Sequence, residues 1–325
     1  MTGIDIRLFE FDRHNALYYF IMNADEHIYM RYGGRDATSP HTYLDLESLE
    51  IALQLGLEQH ELYNQGKSEK QERPARLLPR EIPLLRNEVS RFRRCVECHM
   101  ISDFQTQQLE LTGKLNKLQD MYVFPDIERI GIHLDIPRGL VVKKARSAVK
   151  QAGMQPNDLI VEINGTPVLT FGDLQHFFDK VSRDTRQMSI SVVRNGEKKD
   201  LVIDLPREWW WTDLTHRYWS VEPILFFSLR LLSDEEKRDH NLELRGFASE
   251  VTWVYADAGE LGLGNLLLGD IIYSVDGVDV NELTQSCETH IKLNVSAGAY
   301  FTAELLRNGE KMEMRLRTVR QNFRK

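Results

Sequence analysis

Cysteine is scarce in this 325-residue chain, long apolar runs and a net positive charge are lacking, and each narrows what it can be. Cysteine occurs only at Cys95, Cys98 and Cys287, too few for the disulfide framework that staples small secreted domains. A helix that crosses a bilayer needs about 18–20 apolar residues in a row. The richest window here, Pro223-Ile-Leu-Phe-Phe-Ser-Leu-Arg-Leu-Leu232, is short and carries Arg230, so no membrane span is expected. The formal charge is −8, the wrong sign for the basic field that draws a protein onto nucleic acid. The basic run Arg91–Arg94 has acids nearby and reads as a solvated helix face. The opening "MTGIDIRLFEFD" puts charges where a signal peptide has its apolar core. With 42% apolar residues the chain still has enough to build ordinary cores, and its length suits about two to three domains.

What the sequence does contain is a repeat. Met154-Gln-Pro-Asn-Asp-Leu-Ile-Val-Glu-Ile-Asn-Gly165 reads against Leu266-Leu-Leu-Gly-Asp-Ile-Ile-Tyr-Ser-Val-Asp-Gly277, with Asp158 over Asp270 and Gly165 over Gly277. Farther on, "VVRNGEKKDLVIDL" (192–205) matches "LLRNGEKMEMRLRT" (305–318), one residue further along. Each copy opens with a short β-branched run closed by Asn-Gly or Asp-Gly, a strong tight-turn signal. In the first copy Phe171, Leu174, Phe177, Phe178 and Val181 then recur at helical spacing. Two strands follow, 188–194 and 198–204, joined across Asn195-Gly196.

The stretches "GLVVKKARSAVKQAGMQPNDLIVEINGTPV" (139–168) and "ASEVTWVYADAGELGLGNLLLGDIIYSVDGVDV" (248–280) resemble the bacterial, permuted type of PDZ domain. The resemblance implies two PDZ-like, partly open β-barrels with short helices, binding proteins or peptide C-termini. A peptide would add as a strand to an exposed edge, its carboxylate held by backbone amides of a Gly-containing loop. In the first copy that loop and edge fall on Arg129-Ile-Gly-Ile-His-Leu134, giving Ile130, Gly131, Ile132 and Leu134 as candidate peptide-binding residues. Gly131 lets the backbone approach a carboxylate; Ile132 and Leu134 are expected to face the groove. An ordinary strand without a ligand is the alternative. In the second copy Leu244-Arg-Gly-Phe-Ala-Ser-Glu-Val251 is assigned the same part. PDZ pairs often accompany proteases, yet no Gly-x-Ser-Gly-Gly-like nucleophile loop is present and no catalytic residues are assigned. Between the copies, "PREWWWTDLTHRYWSVEPILFFSLRLL" (206–232) reads as a Trp-rich connector glued onto its neighbours.

Near the start, Leu17-Tyr-Tyr-Phe-Ile-Met22 and His27-Ile-Tyr-Met-Arg-Tyr32 flank a polar turn and predict a hairpin. A helix is predicted from Leu46 to about Tyr63, with Leu46, Leu49, Leu53 and Leu57 on one face. This order is similar to the C-terminal half of a thioredoxin-like domain. No Cys-x-x-Cys precedes it, however, and Asn15-Ala16 stands where that family places its cis-proline. Thiol catalysis by this segment is therefore not expected, and its first half is missing.

Cys95-Val-Glu-Cys98-His99 is the signature of c-type haem attachment. Two thiols would add to the vinyl groups, and His99 would ligate iron from the proximal side. Val89, Phe92, Val96, Phe104 and Leu111 would line the haem or simply pack, and Met100, Met121, His133 and Met154 are candidate distal ligands. Zinc would want four ligands, with Cys287 far away. A redox dithiol and a structural accident stay open. Haem c would make the chain an electron carrier or redox sensor with a redox partner. It would also imply an extracytoplasmic location and a longer precursor bearing an export signal; without haem the chain reads as cytoplasmic. The expected architecture is α+β and multidomain: a partial thioredoxin-like segment (1–63), a linker (64–87), a helical Cys-x-x-Cys-His segment (88–126), a first PDZ-like domain (127–206), the Trp-rich connector (207–240) and a second PDZ-like domain (241–320).

Overall fold

Polar turn chemistry closes the first hairpin. Strands β1 (Tyr18–Met22) and β2 (Ile28–Gly33) pair antiparallel, and the Asn23 side chain accepts the backbone N–H groups of Asp25 and His27 at 2.9 and 3.0 Å. The computed structural model describes residues 3–36, 39–68, 73–92, 95–212, 223–255 and 265–320. They fall into two units, Met1–Arg217 and Tyr218–Lys325.

Helix α1 (Leu46–Asn64) starts at Asp45, whose carboxylate accepts from the Glu47 and Ser48 amides. Of the expected leucine stripe only Leu49 packs inward, half-buried; Leu46, Leu53 and Leu57 are 83%, 52% and 68% exposed, while Ser48, Ala52 and Gly56 are buried. The reason is close approach. A Cβ on Gly56 would lie 2.8 Å from Ile21 Cγ2, so the small-residue face lets the helix settle onto the hairpin. The resulting sheet has two strands among the described residues and the helix follows them, the order expected at this place in the chain.

The expected linker contains the start of α2 (Pro83–Phe92), with proline at its first position, where no N–H is needed. Helices α3 (Cys98–Leu111) and α4 (Lys117–Asp120) follow. Leu85, Val96, Met100, Ile101 and Phe104 pack with Ile6 and Ile82 into one apolar cluster.

Next come β3 (Ile132–Leu134), β4 (Val142–Ala145), α5 (Ser147–Gln151), β5 (Leu159–Ile163), β6 (Thr166–Pro167), α6 (Phe171–Asp179), β7 (Gln187–Arg194) and β8 (Glu197–Asp204). β3 pairs with β4, and a second sheet runs β6-β5-β7-β8. The Val141–Leu159 bridge ties the two together. Trp209 and Trp210 are buried in this unit, Trp209 against Phe178 and Trp210 against Tyr122, both with ring centroids 5.0 Å apart. They fasten the start of the expected connector into the first unit, of which they are part; Trp219 lies outside the described residues.

The second unit holds β9 (Phe227–Leu231), α7 (Asp234–Asp239), β10 (Ser249–Val254), β11 (Ile271–Val275), α8 (Cys287–Asn294), β12 (Tyr300–Arg307) and β13 (Glu310–Arg317). Its sheet runs β13-β12-β11-β10-β9. The edge strand is thus Phe227–Leu231, inside the expected connector. Leu244–Val251 supplies a loop and the start of β10, because the alternating Phe-Ser-Leu-Arg-Leu run pairs with Ser249–Val254 and takes the outer place. Part of the second copy's small-residue stretch, residues 256–264, lies outside the described residues. The sheets are open, with no closed barrel among the described residues.

The sequence repeat is also a repeat of bonds. Arg194 grips the buried Asp158 through two contacts of 2.7 Å and donates to Gly153 O. Arg307 grips the buried Asp270 at 2.8 and 2.7 Å and donates to Asn265 O. Asn164 exchanges bonds with the backbone of Ser189 as Asp276 does with Thr302. Both turn residues sit at positive φ, +48° and +51°, next to glycines at +77° and +76°, which is the geometry Asn-Gly and Asp-Gly provide.

Candidate peptide-binding edge

The turn before β3 is built by Asp126, whose carboxylate accepts the Glu128 amide at 2.9 Å, and by Gly131 at φ +98°. Gly131 is required twice over. Its φ is in the left-handed region, and a Cβ there would come 2.0 Å from Arg146 O. The close approach lets Arg146 N donate to Gly131 O at 2.9 Å. Because backbone groups alternate along an antiparallel strand, that bond turns the groups of Ile132 outward. Asp135 N bonded to Val141 O places those of Leu134 outward too. Among the described residues no strand lies on this outer edge.

The side chains of Ile130 and Ile132 are fully buried and Leu134 nearly so. What these residues offer a ligand is therefore backbone, with the apolar side chains fixing the strand from inside. His133, on the opposite face, sits 3.0 Å from Glu128. Burial, reinforced by the charges of Glu128 and Asp36, pushes the Asp126 carboxyl up to about 6.

Sequence reasoning missed a second set of groups, on α6 and the N-terminal hairpin. Thr170 caps α6 by accepting from Asp173 N, and its hydroxyl also bonds Arg31 O. Asp173 accepts the Arg31 amide at 2.9 Å, Tyr18 donates to Gly172 O at 3.2 Å, and Gln175 donates to Arg35 O at 3.4 Å. The Tyr43 ring lies flat on Phe171 with centroids 3.3 Å apart. Desolvation lifts Asp173 to about 6, although Arg31 opposes it, and lowers His176 to about 2, helped by Arg31 and Lys180. The sequence offered only helical spacing for α6; no local signal links it to Arg31 or Tyr43.

The Cys-x-x-Cys-His motif lies at the start of α3. Cys95 is exposed, Cys98 is half-buried, and His99 Nε2 is at the surface, 3.5 Å from Glu97 Oε2. Burial raises the Cys98 thiol, with the Arg13 charge only opposing this, the reverse of the activation a redox dithiol needs. These residues do not fit a haem as folded. Val96 and Phe104, two of the expected lining residues, pack against Leu85, Ile82, Met100 and Ile101, while His99 turns toward solvent and an acid. Of the distal candidates, Met100, Met121 and Met154 are buried and His133 is held by Glu128. Chain produced with a c-type cytochrome maturation system is expected to be colourless. A haem absorption band that stays with the denatured polypeptide would reverse this reading.

Residues 144–194 match the PDZ domain family. A curated relative, the probable periplasmic serine endoprotease DegP-like of Hahella chejuensis, is 27% identical over 176 residues, half of this chain and 35% of that protein. The chain thus spans about a third of that relative's length. Among solved structures, the PDZ domain of EpsC from Vibrio cholerae (residues 219–305) is 25% identical, covering 20% of this chain and 77% of that one at a TM-score of 0.18. The HtrA-type protease AlgW with a decapeptide is 19% identical over 41% of this chain and 42% of that one, at a TM-score of 0.26. No helix among the described residues is long and apolar enough to cross a membrane. Gly131 and the open edge of β3 lie ahead of the segment 144–194 that matches the PDZ domain family.

Proposed function

We propose that this chain is a peptide-binding protein whose PDZ domain takes an extended peptide along the outer edge of β3. The observation that carries this is the unpaired outer edge behind a left-handed glycine turn. Ile132 and Leu134 supply outward N–H and C=O groups for the ladder, and the turn at Ile130–Gly131 is the place for a terminal carboxylate. The repeated Asp–Arg grip and Asp-Gly turn support a second PDZ-like module in unit two, with β9 as its edge. The named location of the DegP-like relative supports an extracytoplasmic setting, and its named activity supports a role associated with proteolysis.

The test is amide hydrogen exchange on the full chain with a pool of random-sequence decapeptides at millimolar concentration, bearing either a free or an amidated C-terminus. The free-carboxylate pool is expected to slow exchange at Ile132 and Leu134, and the amidated pool to do so about tenfold less effectively, the loss of a charge-assisted contact. Protection that appears elsewhere and spares β3 would refute the assignment.

A further inference from the structure

Resting on the peptide-edge reading, we propose that the edge of β3 selects acidic peptides, taking a carboxylate side chain on the next-to-last residue with Lys144 and Arg146.

The charge that would do this is local. The chain carries a formal −8, yet between Asp135 and Asp158 it has five basic residues, Arg138, Lys143, Lys144, Arg146 and Lys150, and no acid. They run from the turn after β3 through β4 into α5. The acids bordering the edge have partners already. Glu128 lies 3.0 Å from His133, Asp135 lies 3.6 Å from Arg138, and Asp126 holds the Glu128 amide. Among the described residues no ion pair involves Lys143, Lys144, Arg146 or Lys150, and all four are exposed. The positive field beside β3 has no acid of its own, and an acidic ligand supplies the complement.

The pleat aims this charge. A terminal carboxylate at Ile130–Gly131 puts the last peptide residue beside Ile132, the next-to-last beside His133 and the third beside Leu134. Side chains alternate between faces along a strand, and cross-strand partners share a face. Ile132 and Leu134 point into the core, so the next-to-last side chain lies on the other face, with His133 and its partner Lys144. Two strand spacings, about 10 Å, separate its backbone from that of β4, a gap that a lysine and a glutamate span together. Arg146, two residues on and still extended, is on the same face and abuts Gly131.

Neither the edge nor the fold asks for these cations. Lysines that guard a sheet against aggregation sit on its edge strand, but here the edge strand is Ile-His-Leu and the cations are one strand in. The second copy fills the same positions differently. Tyr255 N donates to Phe226 O at 2.8 Å as Arg146 N does to Gly131 O, and Trp253 pairs with Ser228 as Lys144 does with His133. Exposed Trp253 and Tyr255 thus stand where unit one has Lys144 and Arg146.

The test uses three fluorescein-labelled decapeptide pools with free carboxylates. Each is randomised over uncharged residues except at the next-to-last position, which is Glu, Gln or Lys. Anisotropy on the full chain reads affinity, and amide exchange at Ile132 and Leu134 reads the place of binding. Exposed ion pairing is worth up to about fivefold in affinity, so the Glu pool is expected to bind about fivefold more tightly than the Gln pool at low salt. That advantage should vanish at about 0.5 M salt, where screening acts within a few ångströms. Lys144→Glu combined with Arg146→Glu, both at exposed positions, is expected to make the Lys pool the tightest. Equal affinity for all three pools with β3 protected would overturn the acidic preference and leave the peptide edge standing. A Glu preference that survives the double substitution would overturn the assignment to Lys144 and Arg146. Binding that leaves Ile132 and Leu134 unprotected, or no binding at all, would bring down the peptide-edge reading and this inference with it.

Discussion

At the scale of single residues, Asp173 has the most to report. It is fully enclosed, accepts the Arg31 amide and faces the Arg31 guanidinium at 3.7 Å, yet burial still lifts its carboxyl from 3.8 to about 6. A carboxyl whose folded value is raised takes up a proton on folding between about pH 4 and 6, so its contribution to stability falls as pH rises through that window. His176 acts oppositely. Its value is lowered from 6.5 to about 2, so its stability contribution is lost as pH falls below about 6.5. Comparing wild type with Asp173→Asn keeps His176 in both proteins. Acidification from pH 7 to 4 is expected to favour wild type relative to the variant by on the order of 2 kcal/mol. Urea unfolding of unit one across that range measures it, and a difference independent of pH would show that Asp173 stays ionised. None of this was legible in the sequence, where Asp173 is one acid in a helix. Gly131 was legible, since a glycine between two isoleucines ahead of a strand signals a backbone constraint.

At the scale of elements, the hairpins and their turns were legible and the packing faces were not. The Asn195-Gly196 and Asn308-Gly309 turns join β7 to β8 and β12 to β13 as read, with asparagine φ values of +53° in both. The two Asp–Arg grips fasten these hairpins to the turn before β5 or β11. Asp158 is wholly buried, and Arg194 is its charged partner. Arg194→Met strands that charge, and the expected cost is about 3 kcal/mol. Arg307→Met should cost unit two about as much through Asp270. Chemical denaturation followed by unit-resolved hydrogen exchange would show each loss confined to its own unit; a cost near zero would mean the carboxylates find water instead. The face of α1 went the other way. Leucines at helical spacing pointed to one face, but Gly56 and Ala52 allow closer contact with Ile21 and Met30, and Leu46, Leu53 and Leu57 stayed outside while Leu49 packs inward. β9 was hidden for a related reason. The five-residue alternating run Phe227–Leu231, in a segment that also carries tryptophans, looks like connector until a partner strand gives it an edge to join.

At the scale of the molecule, unit one joins the segment that matches the PDZ domain family to the N-terminal hairpin and helix, which the thioredoxin-like resemblance set apart as a segment of its own. The Cys-x-x-Cys-His signature shows the same limit. Residue order announced haem chemistry, but the apolar side chains around it are committed to a cluster with Ile6 and Ile82. What the sequence by itself determined was local: tight turns that need positive φ, strands set by alternation, a repeat whose conserved spacing carries the same bonds twice. Those features depend on neighbours a few residues apart, whose geometry is fixed by the backbone. The tertiary structure alone decided which surfaces meet, such as Arg31 with Asp173 across 142 positions, and therefore which groups are desolvated and which faces stay exposed. Burial is a property of distant partners, and no local pattern encodes it.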